Sequence, residues 1–146
     1  MDALSRLLEL LKRQVLLTKV TSFAMIGVVN TAIDFCVFLA AYNLLHIPLI
    51  PSNVISWLVA VSFSYAMNST FTFAAESGRK LRGRDYAVFL ASGLVGLVGN
   101  TTTLVLASYV VPVWVAKLMA IGVSFLINFS MSHFVVFRKR KQPVER

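Results

Sequence analysis

Acidic residues are scarce in this chain, six against fourteen Lys and Arg among 146 residues, for a formal net charge of +8. A surplus of that size raises nucleic acid as a partner. The basic residues, however, stand in short clusters between apolar runs rather than along one soluble face, which excludes that class. A single cysteine, Cys36, excludes a disulfide framework and reads as a small buried hydrophobe. The two histidines, His46 and His133, have no acidic or thiol neighbours at ligand spacing, so no metal site is expected. Catalytic Ser/His/Asp sets and glycine-rich phosphate loops are also missing, so no catalytic residue, no cofactor and no enzymatic activity are expected. Residues 1–20 lack an apolar core followed by a small-residue cleavage site, so no signal peptide is expected.

Apolar residues fill the space these absences leave. They make up 58% of the chain, and its mean hydropathy is +0.77, well beyond the roughly 45–50% apolar content of soluble domains. Four apolar runs, at about 23–45, 53–73, 86–111 and 113–137, are each long enough to span a bilayer. About 20 residues rising about 1.5 Å each cover the roughly 30 Å of hydrocarbon. The expected fold class is an all-α integral membrane protein with four transmembrane helices spread over residues 21–137. Within residues 1–20, Leu4, Leu7, Leu8, Leu11 and Val15 recur at helical spacing with Arg6, Glu9, Lys12 and Arg13 largely opposite them. That pattern predicts an amphipathic helix lying in the membrane interface, serving as an anchor or as a dock for a partner enzyme.

Loop charges set the expected orientation. Lys and Arg populate the N-terminal segment, the middle loop (Arg79, Lys80, Arg82, Arg84) and the basic tail over 138–146, whereas the turns around Pro48 and Pro112 carry none. The positive-inside rule then puts both termini in the cytoplasm of a multi-pass inner-membrane protein. The two hairpins also repeat. A shift of 66 residues places Gly27 on Gly93 and Asp34 on Asn100, and a shift of 64 places Ser56 on Ala120 and Ser64 on Asn128. Hairpins that both start from the cytoplasm form a parallel repeat.

Polar residues within the spans fall on single helix faces. Gly27, Asn30, Thr31 and Asp34 occupy i, i+3, i+4 and i+7, and Asn53, Ser56, Ala60, Ser64 and Asn68 form a second row. Small and hydroxylated residues of this kind also serve plain helix packing. Formal charge breaks the repeat: Asp34 stands where the other half has Asn100, and Lys117 where the first half has Asn53. A charged group near the bilayer centre costs about 2.5–3.5 kcal/mol on insertion scales, so it should face protein or water and have a partner. Lys117 has three readings: it snorkels outward, pairs with Asp34, or attracts an anionic ligand. The candidate ligand-binding residues are Asp34, Lys117, Asn30, Asn100, Asn128, Thr31 and Asn68.

The run Phe23-Ala24-Met25-Ile26-Gly27-Val28-Val29-Asn30-Thr31-Ala32-Ile33-Asp34, the span ending in Asn68-Ser69-Thr70-Phe71-Thr72-Phe73, and Asn128-Phe129 followed by His133-Phe134-Val135-Val136-Phe137 resemble the GtrA-like family of small four-span membrane proteins. The resemblance covers about residues 20–140. It implies that the chain flips a polyprenyl-phosphate-linked sugar across the cytoplasmic membrane for cell-surface polysaccharide, or serves a membrane glycosyltransferase as a non-transporting scaffold. A small proton-coupled exporter carrying its proton on Asp34 is the third reading. Four spans enclose little volume, so a homo-oligomer of same-orientation subunits, in contact with membrane lipids, is expected.

Overall fold

A computed structural model describes residues 3–136, with side chains described for residues 9–127 apart from Glu76. The described residues are all-helical: α1 (Ala3–Leu39), α2 (Leu49–Met67), the short α3 (Ala74–Ser77), α4 (Gly83–Ser108) and α5 (Val113–Val136). Three apolar helical stretches, Glu9–Leu44, Leu49–Thr72 and Gly83–Ser108, are long enough to cross a bilayer, and Val113–Ile127 is a shorter apolar segment among the described residues. Large apolar side chains such as Val28, Val98, Leu106 and Phe125 lie exposed along them. Water-soluble monomers seldom present apolar surface on this scale, whereas lipid covers it. Cys36, read from the sequence as buried, is exposed as well. The basic tail over 138–146 lies outside the described residues.

The expected separation of residues 1–20 from the first span is not marked by a break. α1 is one helix of 37 residues, about 55 Å at the usual rise. No Gly or Pro precedes Gly27, and Leu, Lys, Arg and Gln are good helix formers, so nothing local stops it. It ends where Pro48 approaches. The helix widens into a π turn over Ala40–Leu44, Leu45 N donates to Ala40 O at 3.1 Å and Ile47 N to Ala41 O at 3.0 Å. His46 then takes a left-handed φ of 53°, a conformation His adopts more readily than most non-Gly residues. α2 starts at Leu49, earlier than the expected 53, with Pro51 in its first turn. There its missing N–H would have had no helical partner in any case.

α2 also ends in a π turn, Asn68–Thr72, closed by Phe73 N donating to Asn68 O at 2.8 Å. α3 follows and stops at Gly78, whose φ of 62° meets no Cβ penalty. The Ser77 hydroxyl returns to Ser69 O. The basic loop after α3 is anchored by Tyr65. Its hydroxyl donates to Arg82 O at 2.9 Å and accepts from Arg82 N at 3.0 Å, while its ring packs against Tyr86 and Phe89 at centroid distances of 5.2 and 5.7 Å. Tyr86 in turn shares a 2.6 Å hydrogen bond with Ser62. In this way the entry of α4 is tied to α2.

Packing divides the chain within α4, between Ser92 and Gly93. The first unit holds α1, α2, α3 and the start of α4. The second holds the rest of α4 and α5, joined by a turn in which Val110 N and Val111 N both donate to Ala107 O at 3.0 Å, ahead of Pro112.

Candidate functional site: a polar seam in the first hairpin

α1 and α2 run antiparallel, and side-chain hydrogen bonds cross from α1 to α2 and to the π turn that follows it. Towards the turn, Ser56 Oγ donates to Asp34 Oδ1 at 2.6 Å. Away from it, Ser22 Oγ and Thr72 Oγ1 meet at 3.0 Å. The 12 positions from Ser22 to Asp34 place these bonds about 18 Å apart along α1, more than half the thickness of a bilayer's hydrocarbon. Small residues make the contact possible. Ser52, Asn53 and Ser56 are fully buried and Ala60 nearly so, and short side chains let two backbones approach where lipid supplies no hydrophobic drive.

Asp34 is buried, as its cost in lipid requires. The Ser56 hydroxyl also lies 3.0 Å from Asn53 O, but it has one proton to give, and the shorter contact with the carboxyl takes it. Ser52 donates to Ile47 O at 3.0 Å, fixing the turn beside this end of the seam. Between the two crossing bonds lie Asn30 on α1 and Asn68 at the start of the π turn. Asn68 donates through Nδ2 to Ser64 Oγ at 3.2 Å. Among the described residues, the buried Oδ1 atoms of Asn30 and Asn68 accept no hydrogen bond. The π turn keeps Thr72 on the buried side, since a wider turn rotates the following residues back relative to an α-helical continuation; such turns recur at functional sites.

Of the candidates in the first unit, Asp34, Asn30 and Asn68 fall on this seam, whereas Thr31 is exposed and its hydroxyl donates to Gly27 O at 3.0 Å in its own helix. In the second unit Asn100 and Lys117 are buried, Lys117 completely, together with Leu104, Ala116 and Ala120. Complete burial is not the outward-reaching geometry of a snorkelling lysine. Ser124 Oγ donates to Gly96 O at 3.3 Å, and a Cβ on Gly99 would overlap Ile127 Cδ1, so α4 and α5 approach closely along a glycine face. Asn128 lies on α5, but its side chain lies outside the described residues. Ser22, Ser56 and Thr72 complete the seam. Ser56 was legible from its helical row with Asn53 and Asn68, whereas Ser22 and Thr72 emerge only once the hairpin register is known.

The first unit thus holds a hydroxyl-bound buried carboxyl and two buried amide oxygens that accept no hydrogen bond among the described residues, and the second unit holds a fully buried lysine. The family profile for the transmembrane domain of GtrA and DPMS proteins matches residues 22–137, nearly all of the helical region. The chain belongs to the GtrA/DPMS transmembrane family. Relatives within reach of this GtrA/DPMS chain include a bactoprenol-linked glucose translocase of Shigella phage SfX, 32% identical over 121 residues that cover 82% of this chain and 94% of the relative. The bactoprenol-linked glucose translocase of Salmonella phage P22 is 30% identical over 118 residues, 80% of this chain and 92% of that protein. A prophage bactoprenol-linked glucose translocase homolog of Escherichia coli (strain K12) is 29% identical over 119 residues, 82% and 94% of the two chains. No solved structure matches this GtrA/DPMS chain.

Proposed function

We propose that this protein translocates a polyprenyl-phosphate-linked sugar across the cytoplasmic membrane, as a transporter and not an enzyme, for cell-surface polysaccharide synthesis or modification. The observation that carries the reading is its similarity, over most of both chains, to bactoprenol-linked glucose translocases, 82% of this chain against 94% of the relative from phage SfX. The physics fits. A sugar phosphate is too polar to cross hydrocarbon unaided, while its polyprenyl tail stays in lipid. Buried polar groups along the helices lower that barrier by replacing water, and no chemistry is needed.

Asp34, Asn30 and Asn68 offer contacts to the sugar in this reading, with Asn100, Asn128 and Thr31 as further polar positions. Lys117 supplies positive charge for the phosphate. Both termini face the cytoplasm, supported by the Lys and Arg clusters of the middle loop and tail. The exposed apolar side chains Leu10, Leu11, Val15, Leu16 and Leu17 support an interfacial placement for the first part of α1. The ordered correspondence of Gly27 with Gly93 and Asp34 with Asn100 supports a parallel repeat, and the small size of the chain supports a same-orientation homo-oligomer.

Mass spectrometry of protein extracted in native lipid particles tests the reading. Polyprenyl-phosphate sugar should be enriched over its level in the parent membrane, and the enrichment should fall in Asp34→Ala and Lys117→Ala. Equal enrichment in all three refutes the residue roles. Leu10, Leu11, Val15, Leu16 and Leu17, exposed and apolar, also suit a scaffold for a membrane glycosyltransferase. Co-purification of such an enzyme that is lost on deleting residues 1–19, with no lipid-linked sugar enriched, would favour that second role.

A further inference from the structure

Membrane topology asks little of the loop between α3 and α4. Positive charge orients the helices whatever backbone carries it, so a slack loop would serve. This loop is instead held at both ends. At its start the Ser77 hydroxyl donates to Ser69 O in the π turn and accepts from Arg79 N at 3.1 Å, while Lys80 N donates to Ser77 O at 3.3 Å. Gly78 and Arg79 stand in succession at φ of 62° and 57°, a conformation uncommon for a residue with a side chain. At its end Tyr65 donates to Arg82 O and accepts from Arg82 N, with its ring packed against Tyr86 and Phe89. On this fixed backbone Arg79, Lys80, Arg82 and Arg84 are all exposed. Lys19 adds positive charge at the same end of the hairpin, with Nζ 5.9 Å from the ring centroid of Phe73, the residue that closes the π turn.

We propose that this loop is the site at which the phosphate of the lipid-linked sugar is first held, and that Tyr65 is a positioning residue that keeps its cations in register. The inference rests on the translocase reading above and adds the place of loading and the residues that perform it. The loop joins the apolar stretches Leu49–Thr72 and Gly83–Ser108, so it lies at the level of lipid headgroups, where a lipid phosphate also resides. Three of its four cations are Arg, whose guanidinium takes phosphate through two parallel hydrogen bonds. Exposed cations hold a phosphate weakly enough to pass it on, which a loading site requires. Fixing the backbone beforehand raises the apparent affinity, because the binding arrangement is already populated at each encounter. Phenylalanine at position 65 would keep the ring, so the hydroxyl and its two bonds to Arg82 are the part that serves the loop.

Two measurements on the full-length protein, in phosphatidylcholine nanodiscs and proteoliposomes, test the proposal. The first is calorimetric binding of a short-chain isoprenyl phosphate, with the matching isoprenol for comparison and empty nanodiscs as the blank. Wild type should prefer the phosphate, and Arg79→Gln/Lys80→Gln should weaken its binding about 25-fold, about fivefold for each cation at a membrane surface. The charge-matched control Lys12→Gln/Arg13→Gln, on exposed positions of α1, should weaken it by less than about twofold, since those residues stand outside the loop. Equal weakening by the two pairs would overturn the proposal. Tyr65→Phe should weaken binding about fivefold in the native loop and not at all once all four loop cations are Gln. The same weakening in both backgrounds would show that Tyr65 serves the fold alone and overturn its positioning role. The second measurement is translocation of polyprenyl-phosphate glucose over a range of its concentration in the bilayer. Tyr65→Phe should raise the half-saturating concentration about fivefold with the maximal rate preserved. Translocation with an unchanged half-saturating concentration would overturn the loading site and leave the translocase reading standing. Loop-dependent binding of the phosphate without translocation would uphold the phosphate site and remove the translocase reading. Loop-dependent binding of phosphatidylglycerol, with the half-saturating concentration unmoved by the loop variants, would assign the loop to bulk headgroups and overturn the proposal.

Discussion

Replacing Ser56 by alanine removes the hydroxyl that holds Asp34, and the size of the loss follows from its surroundings. Ser56 Oγ sits 2.6 Å from Asp34 Oδ1 and both residues are buried, so no water replaces the lost donor. In soluble proteins a hydrogen bond to a charged group contributes about 1.5–3 kcal/mol. Inside membranes, pairs average about 0.6 kcal/mol with a maximum near 1.7, because the unfolded helices also find partners in lipid. The short distance and full burial of Ser56 place this bond at the top of the membrane range, about 1.5 kcal/mol. Removing one oxygen leaves too small a void to add much to that figure. The expected loss for Ser56→Ala is therefore about 1.5 kcal/mol. A double-mutant cycle isolates the pair. Coupling between Ser56→Ala and Asp34→Ala of about 1 kcal/mol or more is expected. The assay is reversible unfolding in mixed micelles titrated with SDS, followed by circular dichroism and by fluorescence of Trp57, which adjoins Ser56 in sequence. Coupling below about 0.3 kcal/mol, within the scatter of independent sites, would refute the claim that this bond holds the carboxyl in the seam.

Other consequences are equally specific. Gly99→Ala should be destabilising by about 1 kcal/mol, the low end of overpacking costs because the overlapped atom is the flexible tip of Ile127. Combined with Ile127→Val, the double variant should lose less than the two single losses together in the same unfolding assay; additive losses would contradict close approach of α4 and α5 there. Tyr65→Phe keeps the ring contacts but removes both hydrogen bonds to the Arg82 backbone. Amide exchange at Arg82 and tryptic cleavage after it should accelerate about tenfold, the effect of roughly 1.4 kcal/mol of lost anchoring, and an unchanged rate would show that the loop is held by other contacts. In a Cys36→Ser background, Lys80→Cys and His46→Cys should react with an impermeant maleimide from opposite faces of the membrane, Lys80→Cys from the cytoplasm. Labelling of both from one face would overturn the four-span topology.

Much of this architecture was legible because lipid punishes misplaced polarity. The charge cluster at Arg79–Arg84 separated the second span from the third, and Pro48 and Pro112 marked the turns. Asp34 stood out because a carboxyl at that depth needs a partner. The charge pattern pointed to Lys117 as that partner, whereas Ser56 stood only as one member of a row of small polar residues and its bond to Asp34 emerged from the structure. Less was legible where local backbone choices decide. Nothing in Asn68-Ser69-Thr70-Phe71-Thr72 distinguishes a π turn from an α-helical one, yet that turn sets which side Thr72 faces. Thr31 shares the spacing of Asn30 and Asp34 but sits at the margin of their face, where its hydroxyl turns to Gly27 O. The continuity of α1 was masked by its composition, since amphipathic and apolar halves suggest two environments even when the backbone between them has no reason to break. Cys36 looked like a core residue because lipid-facing and core-facing positions draw on the same apolar residue types.

The most direct test of the account is translocation with nothing else present. The purified protein is reconstituted as the sole protein in liposomes loaded with labelled polyprenyl-phosphate glucose, and an impermeant reagent or glycosidase outside reports how much of the lipid becomes accessible over time. The account predicts that accessibility passes the fraction fixed by the outer leaflet and approaches completion, and that Asp34→Ala slows the approach while the liposomes stay intact. Accessibility that halts at the outer-leaflet fraction, as in protein-free liposomes, would contradict it.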